Sequence, residues 1–171
     1  MRLPIGPTTL AASAAALLTQ GLDAADAMPF AQTLRPGLDY RSAAKIRDTC
    51  LQWAGARKLR VAIIVLEPHA MPVTLAHMDG VSVAGGEIAQ WKAVSAAKFG
   101  RTTADTAALN PPANMPNVAT LQGGVPIYSP DGTLLGGVGV SGGKPAEDAA
   151  CATAGIEAAG LRTSKPSPST Q

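Results

Sequence analysis

The sequence predicts an α+β domain in which helices flank an antiparallel sheet built from two β-hairpins, in the order α-β-β-α-β-β-α. Three observations predict this fold. The chain has 171 residues, of which 46% are hydrophobic, enough to bury one core. Its extended apolar runs come in pairs joined by short turns, which is typical of hairpins and therefore of antiparallel strands. Aromatic residues make up only 4% while Ala and Gly are abundant, so we expect helices to lie close on the sheet.

The first helix and the first hairpin are predicted from periodicity. Between Asp39 and Arg57, apolar residues recur at spacings of three and four, which indicates an amphipathic helix with an inner stripe of Ala43, Ile46, Cys50 and Trp53. The continuous run 61–66 predicts a buried strand. A second extended run, 72–78, follows the break at 67–70 and completes the hairpin.

The second helix is bounded by its own capping residues. Ser82 can cap a helix that runs to about Phe99, and Gly100 stops it. We expect its inner stripe to include Ile88, Trp91 and Ser95. The segment Asn110–Asn117 then holds three prolines among eight residues, so it must be an irregular loop, and such loops often line sites.

The second hairpin and the last helix complete the domain. Residues 125–128 and 133–140 read as strands on either side of the turn Ser129-Pro130-Asp131-Gly132. An Ala-rich helix then begins at Pro145 and continues to about Gly160, with acidic residues at its positive end.

The glycine run that joins the last strand to the last helix resembles a nucleotide loop. Gly137-Val-Gly-Val-Ser-Gly142 fits G-x-G-x-x-G, but the dinucleotide fingerprint also requires a second strand that ends in an acidic residue. Glu157 stands at the right distance but inside the last helix. We therefore interpret these glycines as letting the strand turn and the last helix pack closely.

The two ends of the chain are predicted to lie outside the domain. Arg2, the short apolar run 8–18 and the triplet Ala25-Asp26-Ala27 match a signal peptide over residues 1–27, too short to span a bilayer. The alternatives are an Ala-rich extension or a true start at Met28. Residues 28–161 then form one domain, and the Ser/Pro-rich stretch 162–171 a disordered tail. A signal peptide predicts a periplasmic or secreted protein with no membrane span after cleavage.

The two cysteines and the net charge give no sign of a metal-binding motif or of a nucleic-acid-binding protein. Cys50 and Cys151 fit no metal motif, and each falls on the inner face of a predicted helix. We interpret them as buried thiols, although export would permit a disulfide. The net charge is +2 and the basic residues are scattered, so nucleic acid is not expected as a partner.

The candidate ligand residues gather on the first hairpin. No nucleophile or acid–base constellation is evident, which favours a binding protein over an enzyme. Four residues of this hairpin are of the two types that commonly bind haem iron: His69, Met71, His77 and Met78. We expect His77 to be the iron ligand. Met78 and His69 are the next candidates. The alternatives are that the methionines fill the core and the histidines make ordinary hydrogen bonds.

Two basic residues are candidates for binding a carboxylate. Lys92, next to Trp91, is by default a surface lysine, but it could be the counter-charge to a haem propionate. The alternative function, a module that binds a small organic acid, would use Lys92 or Arg101 as its anchor and the loop Asn110–Asn117 as a lid.

Several pieces of the sequence, in this order, resemble the GlcG/HbpS family of haem-binding-like domains over about residues 38–160. They are Val61-Ala-Ile-Ile-Val65, His77-Met-Asp-Gly80, Lys92-Ala93 with Ala96-Ala-Lys-Phe99, Gly123-Gly-Val-Pro-Ile127, and Gly136-Gly-Val-Gly-Val-Ser-Gly142 followed by Glu147-Asp148. The resemblance implies an antiparallel sheet flanked by helices, assembly into oligomers, and haem binding in some members. Some relatives are exported partners of sensors, some accompany glycolate utilisation, and one branch is fused to corrinoid adenosyltransferases.

The chain departs from the family pattern on the first hairpin. Glu67-Pro-His-Ala70 stands where a D-x-G-G-like turn is usual, and His77 where Arg is common. Because haem ligation differs among relatives, no axial ligand is carried over. The resemblance and the histidines together predict an exported, non-catalytic haem- or tetrapyrrole-binding oligomer. The alternatives are a metabolite-binding module or an accessory subunit of an oxidoreductase.

Overall fold

The computed structural model describes residues 37–167. The predicted signal peptide, 1–27, lies outside this part of the chain, as do the last four residues of the predicted tail. The described helices are α1 (Tyr40–Ala56), α2 (Val83–Phe99), α3 (Thr103–Ala108) and α4 (Pro145–Ala158). The strands are β1 (Ala62–Leu66), β2 (Pro72–His77), β3 (Gly124–Tyr128) and β4 (Leu134–Ser141). None of these helices is both long and apolar enough to cross a bilayer.

The four strands form one antiparallel sheet in the order β2-β1-β4-β3. Both predicted hairpins are confirmed, and the sheet is completed where β1 pairs with β4, with Ile64 opposite Gly139. β2 and β3 are therefore the edge strands. The α+β class predicted from the sequence is confirmed by this arrangement.

Capping residues position the helices, and two of them, Ser82 and Gly100, were predicted. Asp39 accepts a hydrogen bond from the Ser42 N–H at 2.9 Å, and Ser82 accepts one from the Gly85 N–H at 3.1 Å. Gly100 ends α2 in the left-handed conformation, at φ 59°. The short helix α3 was not predicted, because its six residues carry no apolar period.

One face of the sheet is covered by α1 and α4, and it holds the larger core. Buried aliphatic side chains from the two helices and the sheet meet there, among them Ile46, Ile63, Val138, Val140 and Ile156. Cys50 and Cys151 are fully buried in this core and form a disulfide between the two helices, with their Cα atoms 4.8 Å apart. The interpretation of two free thiols is therefore wrong: the faces predicted to point inward pack against each other, which places both sulfurs at one contact.

The opposite face is covered by α2, which lies directly on β4. A Cβ atom on Gly139 would overlap the carbonyl oxygen of Ala89, and one on Gly137 would stand 2.5 Å from the Ala97 nitrogen. The buried side of α2 is accordingly made of small residues such as Ala89, Ala93 and Ala96.

This close approach corrects two predictions. Trp91 is 41% exposed rather than on the inner stripe of α2, because a helix that touches glycines of a strand has no room for an indole beneath it. The glycine run also serves a different helix from the one expected. Gly137 and Gly139 lie within β4 and leave room for α2, and only the end of the run leads into α4.

The chain continues past α4 along the sheet edge. Arg162, the first residue of the predicted tail, exchanges two backbone hydrogen bonds of 2.8 Å with Tyr128 of β3. This contact covers the end of one edge strand. β2, at the other edge, has no such cover among residues 37–167.

Candidate functional site

His77 is the last residue of β2, and two hollows meet at its side chain. The larger, about 660 Å³, lies beside the end of α1 and is lined by Leu51, Lys58, Leu59, Arg60, His77 and Met78 among others. The smaller, about 300 Å³, lies between β2 and α2, where Ile64, Leu75 and Val83 give it a mainly apolar wall. α2 packs mainly on β1, β3 and β4, and beside β2 it leaves the smaller hollow open to solvent.

The imidazole of His77 rests on the start of α2. Its Nε2 lies 3.2 Å from the carbonyl oxygen of Ser82, and its ring edge faces Gly86, where a Cβ would stand 3.1 Å from the ring. A carbonyl oxygen can only accept, so Nε2 carries the proton in this arrangement. Coordination of a metal through Nε2 requires that this hydrogen bond break, which costs about 1 kcal/mol.

Met78 is held more firmly than His77. Its sulfur accepts a hydrogen bond from the Val61 N–H at 3.5 Å, and its side chain packs against the larger core. It also lines the larger hollow. This environment is typical of a methionine that fills space at the edge of a core.

The larger hollow is bordered by two basic residues that were not singled out from the sequence. Lys58 follows α1 with a positive φ of 58°, and Arg60 precedes β1 and donates a hydrogen bond to the Asp79 carbonyl oxygen at 2.8 Å. Both side chains also border a hollow formed by Gly80, Ser82 and Gly142. The only signal in the sequence was the basic stretch Arg57-Lys58-Leu59-Arg60, and the pairing of strands was needed to place it beside His77.

His69 lies in the turn between β1 and β2, and Glu67 orients it. The Nδ1 atom of His69 is 2.7 Å from Glu67 Oε2, while Glu67 Oε1 accepts from the backbone N–H groups of His69 and Met71 at 2.8 and 3.0 Å. Partial burial tends to raise the pKa of Glu67, but these hydrogen bonds outweigh it and hold that pKa below its usual value. The side chain of His69 is 60% exposed.

The two histidines do not come together. His77 pairs with Ala62 at one end of β2, whereas His69 precedes the other end, where Pro72 pairs with Leu66. The six residues of β2 span about 20 Å. The two imidazoles therefore cannot bind one iron within a single chain. Residues 37–167 also contain no group of three or more His, Cys, Asp or Glu side chains placed to hold a metal ion.

Lys92 is not at the surface. It is 1% exposed, and its ammonium donates to Asp148 Oδ2 and to the Val140 carbonyl oxygen, both at 2.9 Å. Asp148 also accepts from the Gly143 N–H at 2.9 Å. The expectation of a surface lysine is wrong, because the glycine at 123 leaves room for the side chain to reach α4. A ligand carboxylate could meet this ammonium only if the buried pair opened.

Arg101 lies beside the proline-rich loop. It lines a hollow of only about 60 Å³ with Phe99, Leu109 and Met115. A neighbouring hollow of about 390 Å³, under the same loop, is lined by Trp91, Pro112 and Thr120. The loop thus lines both hollows, Arg101 borders only the smaller one, and Lys92 borders neither.

The fold is shared with solved structures. The PduOC:heme complex is 22% identical to this chain, with a TM-score of 0.69 over 75% of this chain and 99% of that one. A double mutant of Streptomyces reticuli HbpS is 21% identical, with a TM-score of 0.70 over 88% and 97%. Klebsiella pneumoniae protein ORFY is 19% identical, with a TM-score of 0.69 over 76% and 95%. No curated protein matches the chain significantly.

A family model described as "Haem degrading protein HbpS-like" matches residues 38–157. That match covers the chain from the residue before the α1 cap to the end of α4, which includes all four strands. The resemblance predicted from the sequence is confirmed, and the chain belongs to the HbpS-like family.

Proposed function

We propose that this protein binds haem or a related tetrapyrrole in the larger hollow, as an exported binding protein rather than an enzyme. The observation that carries the proposal is the place of His77, an exposed imidazole where two partly apolar hollows meet beside Lys58 and Arg60. Membership of the HbpS-like family and the fold shared with the PduOC:heme complex support this ligand.

The residues present fit the chemistry of a haem. Leu51, Leu59 and Ala76 offer apolar surface to a macrocycle, and a hollow of about 660 Å³ is within the range of small-molecule sites. Lys58 and Arg60 can pair with the two propionates, a role that the sequence had given to Lys92. His77 would hold the iron. Bound haem would supply a redox-active iron, and the side chain that the protein provides as ligand would tune its reactivity.

Export is part of the proposal. The predicted signal peptide and the disulfide between Cys50 and Cys151 both agree with an oxidising compartment, where such bonds persist. The oligomer implied by the family resemblance stays a prediction, which light scattering of the purified chain would test.

The test is a titration of the purified mature chain with haemin, followed by absorbance. We expect a saturable red shift of the Soret band in the wild type, an altered band position in His77→Ala, and affinity lowered about tenfold in Lys58→Gln/Arg60→Gln. The matched control is Lys98→Gln, which removes an exposed cation from the far end of α2.

A wild-type protein that leaves the haemin spectrum unchanged would rule out the proposed function. An unchanged spectrum in His77→Ala would instead remove only this residue from the site. Urea unfolding of each variant must match the wild type for the comparison to count.

A further inference from the structure

We propose that the turn between β1 and β2 is a second coordination site, in which Nε2 of His69 binds a transition-metal centre and Glu67 is the positioning residue. The proposal uses none of the residues of the haem hollow, so it does not depend on the function proposed above. The ligand class is a metal of intermediate softness that already carries other ligands and has one position open.

The first step is the tautomer of His69. An ionised carboxylate can only accept hydrogen bonds, so the 2.7 Å contact with Glu67 Oε2 places the proton of a neutral imidazole on Nδ1. The lone pair then lies on Nε2. This is the arrangement found around metal-binding histidines, where a carboxylate fixes the ring and makes it a stronger donor.

The second step is rigidity. Glu67 is itself held, because its other oxygen accepts from the backbone N–H groups of His69 and Met71. The backbone closes the same turn twice more, through Glu67 N–H to the Met71 oxygen at 3.0 Å and Ala70 N–H to the Glu67 oxygen at 2.9 Å. Ala70 packs against the small cluster of Leu66, Ala93 and Ala97 below α2. The imidazole is therefore mounted on an anchored turn rather than on a free loop.

The third step is the number of ligands. No group of three or more His, Cys, Asp or Glu side chains surrounds a possible metal position in residues 37–167, and His77 lies at the opposite end of β2. A single imidazole does not enclose a bare ion, which needs about four ligands. It can complete the coordination of a centre that brings its own, such as a chelated divalent ion or the iron of a haem. The side chain of His69 is 60% exposed, which leaves room for such a centre.

The experiment uses the full chain carrying His77→Ala, so that one exposed histidine remains. Copper(II) iminodiacetate, which has open positions, is titrated into this variant and into His77→Ala/His69→Ala and His77→Ala/Glu67→Gln. We expect the affinity to fall at least tenfold without His69 and about tenfold with Gln at position 67. Equal affinity with and without His69, for this chelate and for haemin alike, would overturn the proposal.

A second measurement reads the positioning role without any metal. Nitrogen-15 NMR of the metal-free protein should show His69 as the neutral tautomer protonated on Nδ1, with that preference lost in Glu67→Gln. A proton found on Nε2 in the wild type would contradict the assignment even if copper binds.

The same variants titrated with haemin distinguish the two sources of the metal. If haemin binding to His77→Ala falls when His69 is also removed, the occupant is a haem iron. If only the copper chelate depends on His69, the occupant is a chelated ion. Both results support the site, whereas dependence of neither probe on His69 dismisses it.

Discussion

The two faces of the sheet are built from different materials. The face under α1 and α4 is filled by bulky aliphatic side chains and closed by a disulfide, and it reaches across to β2, where Thr74 donates to the Ala43 carbonyl oxygen of α1. On the face under α2, glycines of β4 lie against the backbone of an alanine-rich helix, and this helix packs mainly on β1, β3 and β4 rather than on β2. The first face holds the larger core, and the second leaves apolar surface such as Leu75 exposed.

The largest effect should come from breaking the first face. Replacing both cysteines, in Cys50→Ala/Cys151→Ala, removes a crosslink between residues 101 apart. We expect the free energy of unfolding to fall by about 4 to 5 kcal/mol, because the unfolded chain regains the entropy of a long open loop. Urea unfolding measures this loss.

The control for that prediction is chemical. Unreduced wild-type protein, unfolded in denaturant, should not react with a thiol-alkylating reagent. Reaction of two thiols under these conditions would restore the interpretation of free cysteines.

The next effect concerns the buried ion pair between Lys92 of α2 and Asp148 of α4, which links the two faces of the sheet. Lys92→Met leaves Asp148 buried without its counter-charge, and we expect a loss of about 3 to 5 kcal/mol at neutral pH. Replacing both partners, in Lys92→Met/Asp148→Asn, should cost less. Urea unfolding of the two variants makes the comparison, and an equal cost would show that the charge is not what matters.

The same pair predicts a pH dependence. Burial raises the pKa of Asp148, while hydrogen bonds from Lys92 and Gly143 oppose that rise. A carboxyl whose folded pKa is raised gives stability that is present below its unfolded pKa and lost as the pH rises through the folded one. Lys92→Met removes the hydrogen bond that keeps the pKa of Asp148 from rising further. The variant should therefore lose less stability in acid, where Asp148 is protonated, than at neutral pH.

The smallest effect tests the close packing of the second face. A methyl group at Gly139 would overlap the backbone of α2, so Gly139→Ala should cost about 3 kcal/mol. Gly55→Ala is the matched control, because Gly55 is in α1 with no atom near its would-be Cβ, and the change should stabilise by about 0.5 kcal/mol or more. Thermal unfolding compares the two. Equal shifts would mean that α2 does not rest on β4 as described.

The comparison also shows how far sequence reasoning reaches. The helix ends were predictable because Asp39, Ser82 and Gly100 act locally, within one turn of the backbone they satisfy. Which face of α2 is buried was not, because that depends on glycines of a strand about forty residues away. Periodicity places the larger side chains inside, as with Trp91, and here the opposite holds.

In the candidate site, too, some features could be predicted from the sequence and others depend on the tertiary structure. The histidines of the first hairpin were found because residue type alone marks them. The approach of Lys58 and Arg60 to His77 depends on the register of β1 against β2. The burial of Lys92 against Asp148 depends on the sheet order, in which β1 pairs with β4. The carboxylate behind His69 lies two residues away and was visible in the sequence, but its geometry was not.

The disulfide also defines how the molecule responds to a protease. Residues 50–151 form a covalent ring that contains all four strands, and the proline-rich loop 110–117 is an exposed part of that ring. One cut in this loop would therefore produce two fragments that stay in one molecule until the bond is reduced. Because the cut leaves the sheet pairings intact, the nicked protein should keep the hollow beside His77.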